Sequence, residues 1–246
     1  MSANLNTLRS QPKRILLVVA NPSVSTTVGG PVGFWASELT HAYYEFTEVG
    51  YAVQIASPQG GKVEFDALSD PRDPSGYSAH DFISLGFMHS PDRMALLADT
   101  PSLDSVKVDD YDAIVVAGGQ SPMFTFPSEL RLQQLLGEFY EAEKVTAALC
   151  HGTAALLDVK LSDGSLLIAG KTMTGFANVE EDFADQIVGQ KLMPFRIEDE
   201  AKKRGANFIT GGLFKAFAVR DGRLITGQQQ YSGRATAQKV IEALGV

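Results

Sequence analysis

The sequence predicts an α/β fold: a doubly wound, mostly parallel sheet flanked by helices on both faces. Three observations point to it. Unbroken aliphatic runs recur at residues 14–20, 51–57, 112–117 and 145–149, the pattern of strands buried on both sides rather than half-wetted ones. Residues 34–49 and 128–140 carry apolar side chains at helical spacing between those runs. The resulting repeated order, strand then helix then strand, builds parallel sheets.

Each element has a local reason. Arg-Ile-Leu-Leu-Val-Val-Ala at 14–20 is the first strand, and a loop rich in Pro, Ser, Thr and Gly follows at 21–31. The helix over 34–49 ends at Gly50, a residue suited to the left-handed position past a helix end. A second strand occupies 51–57. Residues 58–100 are long, polar and rich in Asp and Pro, with His80 and His89. A connection of that length carries short elements of its own or a function, so it reads as an insertion with short helices that borders the site or an oligomer contact. The strand at 112–117 runs into Gly118-Gly119, and Ser128 is placed to cap the helix over 128–140. Asp221-Gly222 between apolar runs marks a C-terminal hairpin over 216–226. Residues 232–244 form an amphipathic closing helix. No repeat or linker divides the chain, so we expect one domain over 13–246 with a flexible tail at 1–12.

Composition narrows the function. Hydrophobic residues make up 44% and charged residues 20% of the 246, as in soluble globular proteins. A net charge of −8 disfavours nucleic acid and anionic membranes as partners. One cysteine supports neither an intrachain disulfide nor a cysteine-based zinc site, which fits a reducing compartment. Residues 1–13 lack the apolar core of a signal peptide, and no apolar run approaches the roughly 20 residues of a membrane span. A soluble, cytoplasmic protein is the expectation. No glycine-rich nucleotide fingerprint follows a strand, so no cofactor is expected. His80 and His89, with Asp81 or Asp92, match no ligand spacing, so no metal is expected either.

The chemistry concentrates at Ala148-Leu149-Cys150-His151-Gly152. An apolar strand meets a thiol, a histidine and a glycine, and a helix-forming stretch follows. This is the cysteine counterpart of a nucleophile elbow, where a tight turn lifts one side chain above the sheet. N–H groups at the start of the next helix would favour the thiolate and lower its pKa.

Further segments carry a resemblance. They are Gly33-Phe34-Trp35-Ala36-Ser37-Glu38, Ser57-Pro58-Gln59-Gly60-Gly61 with Asp66, Gly118-Gly119 with Phe126-Pro127, and Thr174-Gly175-Phe176 leading to Glu180-Glu181. With the elbow, they make the chain resemble the DJ-1/PfpI superfamily, related to class I glutamine amidotransferases, in its Hsp31-like branch. The resemblance implies the flavodoxin-like sandwich of that family. It implies Cys150 as nucleophile, His151 as its neighbour in a triad-like arrangement, and Glu181 as the third member, with Glu180 the off-by-one alternative. Glu38 would reach the sulfur from the first helix and carry protons. Backbone N–H groups of Gly119 and His151 would form an oxyanion hole, and Gly118 and Trp35 would complete the oxyanion and substrate wall. Two departures fall where substrate is selected: Gln120-Ser121 replaces the branch's His-Gly, and Gln228-Gln229-Gln230 stands where relatives often have x-Asn-Pro.

The implied activity is a glutathione-independent glyoxalase converting methylglyoxal to lactate without a cofactor, acting on a small reactive carbonyl, in a homodimer. A cysteine-dependent amide or isonitrile hydrolase or hydratase, and a stress holdase or protein deglycase, are the alternatives on the same frame.

Overall fold

The computed structural model describes residues 12–245. All but the last residue of the expected tail at 1–12 therefore lie outside the described part of the chain.

Six strands form the main sheet. They are β1 (Arg14–Val18), β2 (Ala52–Ala56), β3 (Ala113–Val116), β4 (Val145–Leu149), β5 (Ala218–Asp221) and β6 (Leu224–Gly227). Their spatial order is β2-β1-β3-β4-β6-β5. Neighbours are parallel from β2 to β6, and only β5 runs antiparallel, on β6. The order reverses between β1 and β3, and an open sheet of this kind presents its ligand crevice at such a switch point, beyond the carboxyl ends of the strands.

The alternation along β1 shows why the aliphatic runs are continuous. Ile15 and Leu17 enter one core with Leu39 and Phe46 of α1 (Ala36–Glu48) and Val240. Leu16 and Val18 enter the other, with Leu132, Leu135 and Phe139. All of these side chains are at most 1% exposed. Both faces are covered, as the doubly wound expectation requires.

Residues 58–100 hold two short helices, α2 (Phe82–Met88) and α3 (Pro91–Ala98). Asp81 caps α2 by accepting the Ser84 N–H at 3.1 Å, and it also pairs with His41 Nε2 at 2.8 Å. His89 Nδ1 bonds the Leu85 carbonyl at 2.8 Å. Two further helices follow β3, α4 (Ser121–Thr125) and α5 (Leu130–Glu141). Beyond β4 come α6 (Asn178–Val188), α7 (Ile197–Lys203) and α8 (Gly233–Leu244).

Two local readings are corrected. Ser128 does not cap α5: it lies in a 3₁₀ turn over Phe126–Ser128, its hydroxyl donates back to the Thr125 carbonyl at 3.0 Å, and Glu129 occupies the cap position. Pro127 favours such a tight turn by fixing its own φ. The hairpin turns one residue later than expected. Asp221 pairs with Leu224, so the turn residues are Gly222 and Arg223, with Gly222 at φ 62°. Asp221 stays in the strand because its carboxylate accepts the Thr172 N–H at 2.8 Å.

Candidate active site

Cys150 follows β4 directly and sits at φ 54°, in the left-handed region that costs a side-chain-bearing residue roughly 1–2 kcal/mol. Residues Cys150–Leu156 then wind as a 3₁₀ helix. Thr153 Oγ1 donates to the Cys150 carbonyl at 2.7 Å and holds the bend. The loop after β3 packs on this elbow with no side chain between them. A Cβ on Gly118 would lie 2.8 Å from the His151 nitrogen. At Gly119 the φ is 112° and a Cβ would meet the Trp35 nitrogen at 2.4 Å. Only glycine fits there.

Glu38 projects from the first turn of α1 and is fully buried. Its Oε2 accepts the Gly118 N–H at 2.6 Å, while Oε1 has no hydrogen-bond partner among the described residues. Burial pushes this carboxyl from its ordinary 4.5 up to about 8, against the opposing pull of the Cys150 thiol and the Gly118 N–H. The expected lowering of the thiol pKa does not hold. Burial first, and then the neighbouring Glu38 carboxyl, push Cys150 well above the ordinary thiol value. The N–H groups of His151 and Gly119 point at the sulfur and oppose this, but are outweighed. A single 3₁₀ segment supplies only a weak dipole, and a buried acid beside a thiol favours the proton on both.

His151 lies between the thiol and a second glutamate. Its Nδ1 is 3.9 Å from Cys150 Sγ, and its Nε2 is 3.0 Å from Glu181 Oε1. A proton on Nε2 donated to Glu181 leaves Nδ1 as an acceptor facing the thiol. Phe176 stacks on the ring at 4.1 Å between centroids. Glu180, the off-by-one alternative, points elsewhere: it accepts from Ala177 N–H at 3.2 Å and from Gln228 Nε2 at 2.5 Å. The geometry thus brings Cys150, His151, Glu181 and Glu38 together.

Gly118 takes a different part from the one expected. Its N–H is engaged by Glu38, and its carbonyl accepts the Trp35 N–H at 3.0 Å. It positions the glutamate and leaves no donor for an oxyanion. Gly119 and His151 supply the two N–H groups beside the sulfur.

These groups open into a pocket of about 170 Å³ whose other walls are almost wholly apolar and include Trp35, Leu68, Tyr77, Phe176, Ile187 and Phe214. Segment 58–100 therefore reaches the site through Leu68 and Tyr77. It also supplies Asp66, 3% exposed, which sequence reasoning placed in a motif without a role. Asp66 accepts from Gln120 Nε2 at 3.0 Å and from the Gln120 N–H at 3.3 Å, and burial pushes its carboxyl up to about 6. Tyr77 carries no signal in the sequence, because it lies in a polar stretch without periodicity. Phe176 was legible as the third residue of the Thr-Gly-Phe segment.

The fold and this arrangement define a class: α/β proteins with a buried thiol at a strand-end elbow, faced by a protonatable glutamate and a His–Glu pair. The DJ-1/PfpI family profile matches residues 31–243, and the chain belongs to that family. It is 32% identical over 241 residues to the glutathione-independent glyoxalase HSP31 of Saccharomyces cerevisiae, spanning 95% of this chain and 98% of that protein. It is 31% identical over 240 residues to a probable glutathione-independent glyoxalase, hsp3103, of Schizosaccharomyces pombe, spanning 88% and 92%. The crystal structure of glyoxalase III from Candida albicans superposes with a TM-score of 0.80 at 28% identity, covering 94% of this chain and 97% of that one. Rapid Encystment Protein 24 kDa of Francisella tularensis gives a TM-score of 0.85 at 29% identity, covering 95% and 100%. Among the described residues no helix is long and apolar enough to cross a membrane.

Proposed function

We propose that this chain is a glutathione-independent glyoxalase that converts a 2-oxoaldehyde such as methylglyoxal to the 2-hydroxy acid. The single observation that carries the reading is the buried Glu38 carboxyl beside the buried Cys150 thiol, a proton carrier next to a nucleophile.

His151 Nδ1 takes the thiol proton as Sγ attacks the aldehyde carbon, and Glu181 stabilises the imidazolium. The carbonyl π pair moves onto oxygen, where the N–H groups of Gly119 and His151 receive the charge. His151 returns the proton to that oxygen, giving a hemithioacetal. Glu38, as carboxylate, removes the proton from the same carbon; that electron pair forms the C=C bond and the ketone π pair moves onto its oxygen, giving an enediolate. The hydroxyl proton on the first carbon's oxygen passes to the second oxygen, the C=O bond of the thioester forms, and the C=C pair takes the proton back from Glu38 at the second carbon, leaving a 2-hydroxy thioester. Water then cleaves the C–S bond to release acid and thiol. The net change is addition of one water, with no oxidant or cofactor required.

Catalytic assignment to Cys150, Glu38, His151 and Glu181 is part of the proposal, as are a single domain over 13–246, a homodimer and a cytoplasmic setting. The lone cysteine, suited to a reducing compartment, supports the last of these. The test is turnover of methylglyoxal without glutathione by wild type, Cys150→Ser and Glu38→Gln. Loss of at least roughly a thousandfold in kcat is expected for both, the scale of removing an essential nucleophile or base. Wild-type turnover by Cys150→Ser overturns the reading.

A further inference from the structure

We infer that the pocket selects 2-oxoaldehydes bearing a bulky apolar arm, aryl or branched alkyl, and that Phe214, Phe183 and Ile187 receive the arm. This rests on the glyoxalase reading above and goes on to name its substrate class.

The first observation is size. The pocket measures about 170 Å³, and by the same measure one water needs roughly 10–15 Å³. Methylglyoxal, whose arm is one methyl group, occupies the part around Cys150 and leaves the outer walls untouched. The second is composition. Ile187 is 69% exposed and Phe183 42%, yet both line the same pocket as the thiol. Apolar side chains held in water at a pocket mouth are expensive unless a ligand covers them.

The third observation is that the wall is built rather than loose. A run of aromatic rings leads outward from the reacting histidine. Phe176 stacks on His151, Phe214 meets Phe176 edge-on at 6.5 Å, and Phe183 meets Phe214 at 5.4 Å. Phe214 is held at φ 49°, a strained conformation for a bulky residue. A buried clamp maintains it. Glu180 Oε1 accepts the Phe214 N–H at 3.3 Å and Gln228 Nε2 at 2.5 Å, while Gln228 Oε1 accepts the Gly211 N–H at 2.6 Å. Gln228 is one of the positions where this chain departs from the pattern it resembles, and its side chain fixes the loop that presents Phe214.

The experiment compares kcat/KM for phenylglyoxal and methylglyoxal in wild type, Phe183→Ala and Ile187→Ala. Both substituted residues are well exposed, so the variants are expected to fold. Wild type should favour phenylglyoxal, and each substitution should lower the phenylglyoxal-to-methylglyoxal ratio by roughly tenfold, the scale of lost apolar contact in a specificity pocket. Methylglyoxal turnover with an unchanged ratio in both variants overturns the inference and leaves the glyoxalase reading standing. An unchanged ratio together with a shift from dimer to monomer in sedimentation overturns it in favour of a second copy covering this face. No turnover of either aldehyde by wild type removes both readings.

Discussion

Glu38 holds its proton because burial outweighs the little that stabilises its charge, the Gly118 N–H on one oxygen and the neighbouring Cys150 thiol. The folded state therefore binds a proton that the unfolded chain releases. With a folded value of about 8 against an ordinary 4.5, this group's contribution to stability is complete below pH 4.5 and is lost as pH rises toward 8. Replacing it by an isosteric neutral amide removes the penalty. Glu38→Gln is expected to raise stability by roughly 3 kcal/mol at pH 8 and by little at pH 4.5, read from urea denaturation at the two values. Activity runs the opposite way: the rate should climb with pH to a plateau above about 8 as the carboxylate form fills, and a kcat profile that is flat from pH 6 to 9 would contradict Glu38 as the base. At Glu181, substitution by Gln keeps the shape but removes the charge that steadies the imidazolium. A loss in kcat of roughly 10–100-fold is expected, with KM little changed, from steady-state kinetics. Cys150 and His151 were legible as a motif. Glu38 was not distinguishable from a solvated helix residue by spacing alone, because burial is a property of what packs over it. The thiol's raised pKa was missed for the same cause: the local reading weighs the following turn and not the burial of the sulfur, although the resemblance already put Glu38 beside it.

At the scale of elements, long apolar strands declared their positions, while the short helices expected within 58–100 are present but could not be placed beforehand. β1, β3 and β4 are buried on both faces, so their sequences are continuous and unmistakable. The 3₁₀ turn at Phe126–Ser128 and the helices α2 and α3 are too short for a period to show. The hairpin was recognised by Asp-Gly, but its register was settled by Asp221 reaching Thr172 across the sheet, a tertiary contact. The loop between β3 and α4 gives the sharpest element-level test. Gly119→Ala places a methyl 2.4 Å from the Trp35 nitrogen and puts a side chain on a residue held at φ 112°. Loss of several kcal/mol in stability is expected, with activity falling further than the unfolded fraction explains, measured by thermal melting beside turnover.

For the molecule as a whole, strand order converges on one crevice. Cys150 lies beyond the end of β4, Gly119 beyond β3, and Glu38 in the helix that follows β1. Leu135→Ala, in the core on the α5 face, should cost roughly 2–5 kcal/mol in a denaturant titration without altering KM. A further consequence follows from the three acids around the thiol. Glu38, Asp66 and Glu181 all lie at the site, no lysine or arginine lines the pocket among the described residues, and the chain carries a net −8. A neutral carbonyl compound meets no repulsion on entry. The hydroxy acid formed from it is an anion, released into a cleft that offers it no lysine or arginine and sets Asp66 and Glu181 nearby. The reaction therefore expels its own product: lactate should inhibit only at concentrations far above the KM for aldehyde, and neutral lactamide should inhibit more strongly than lactate.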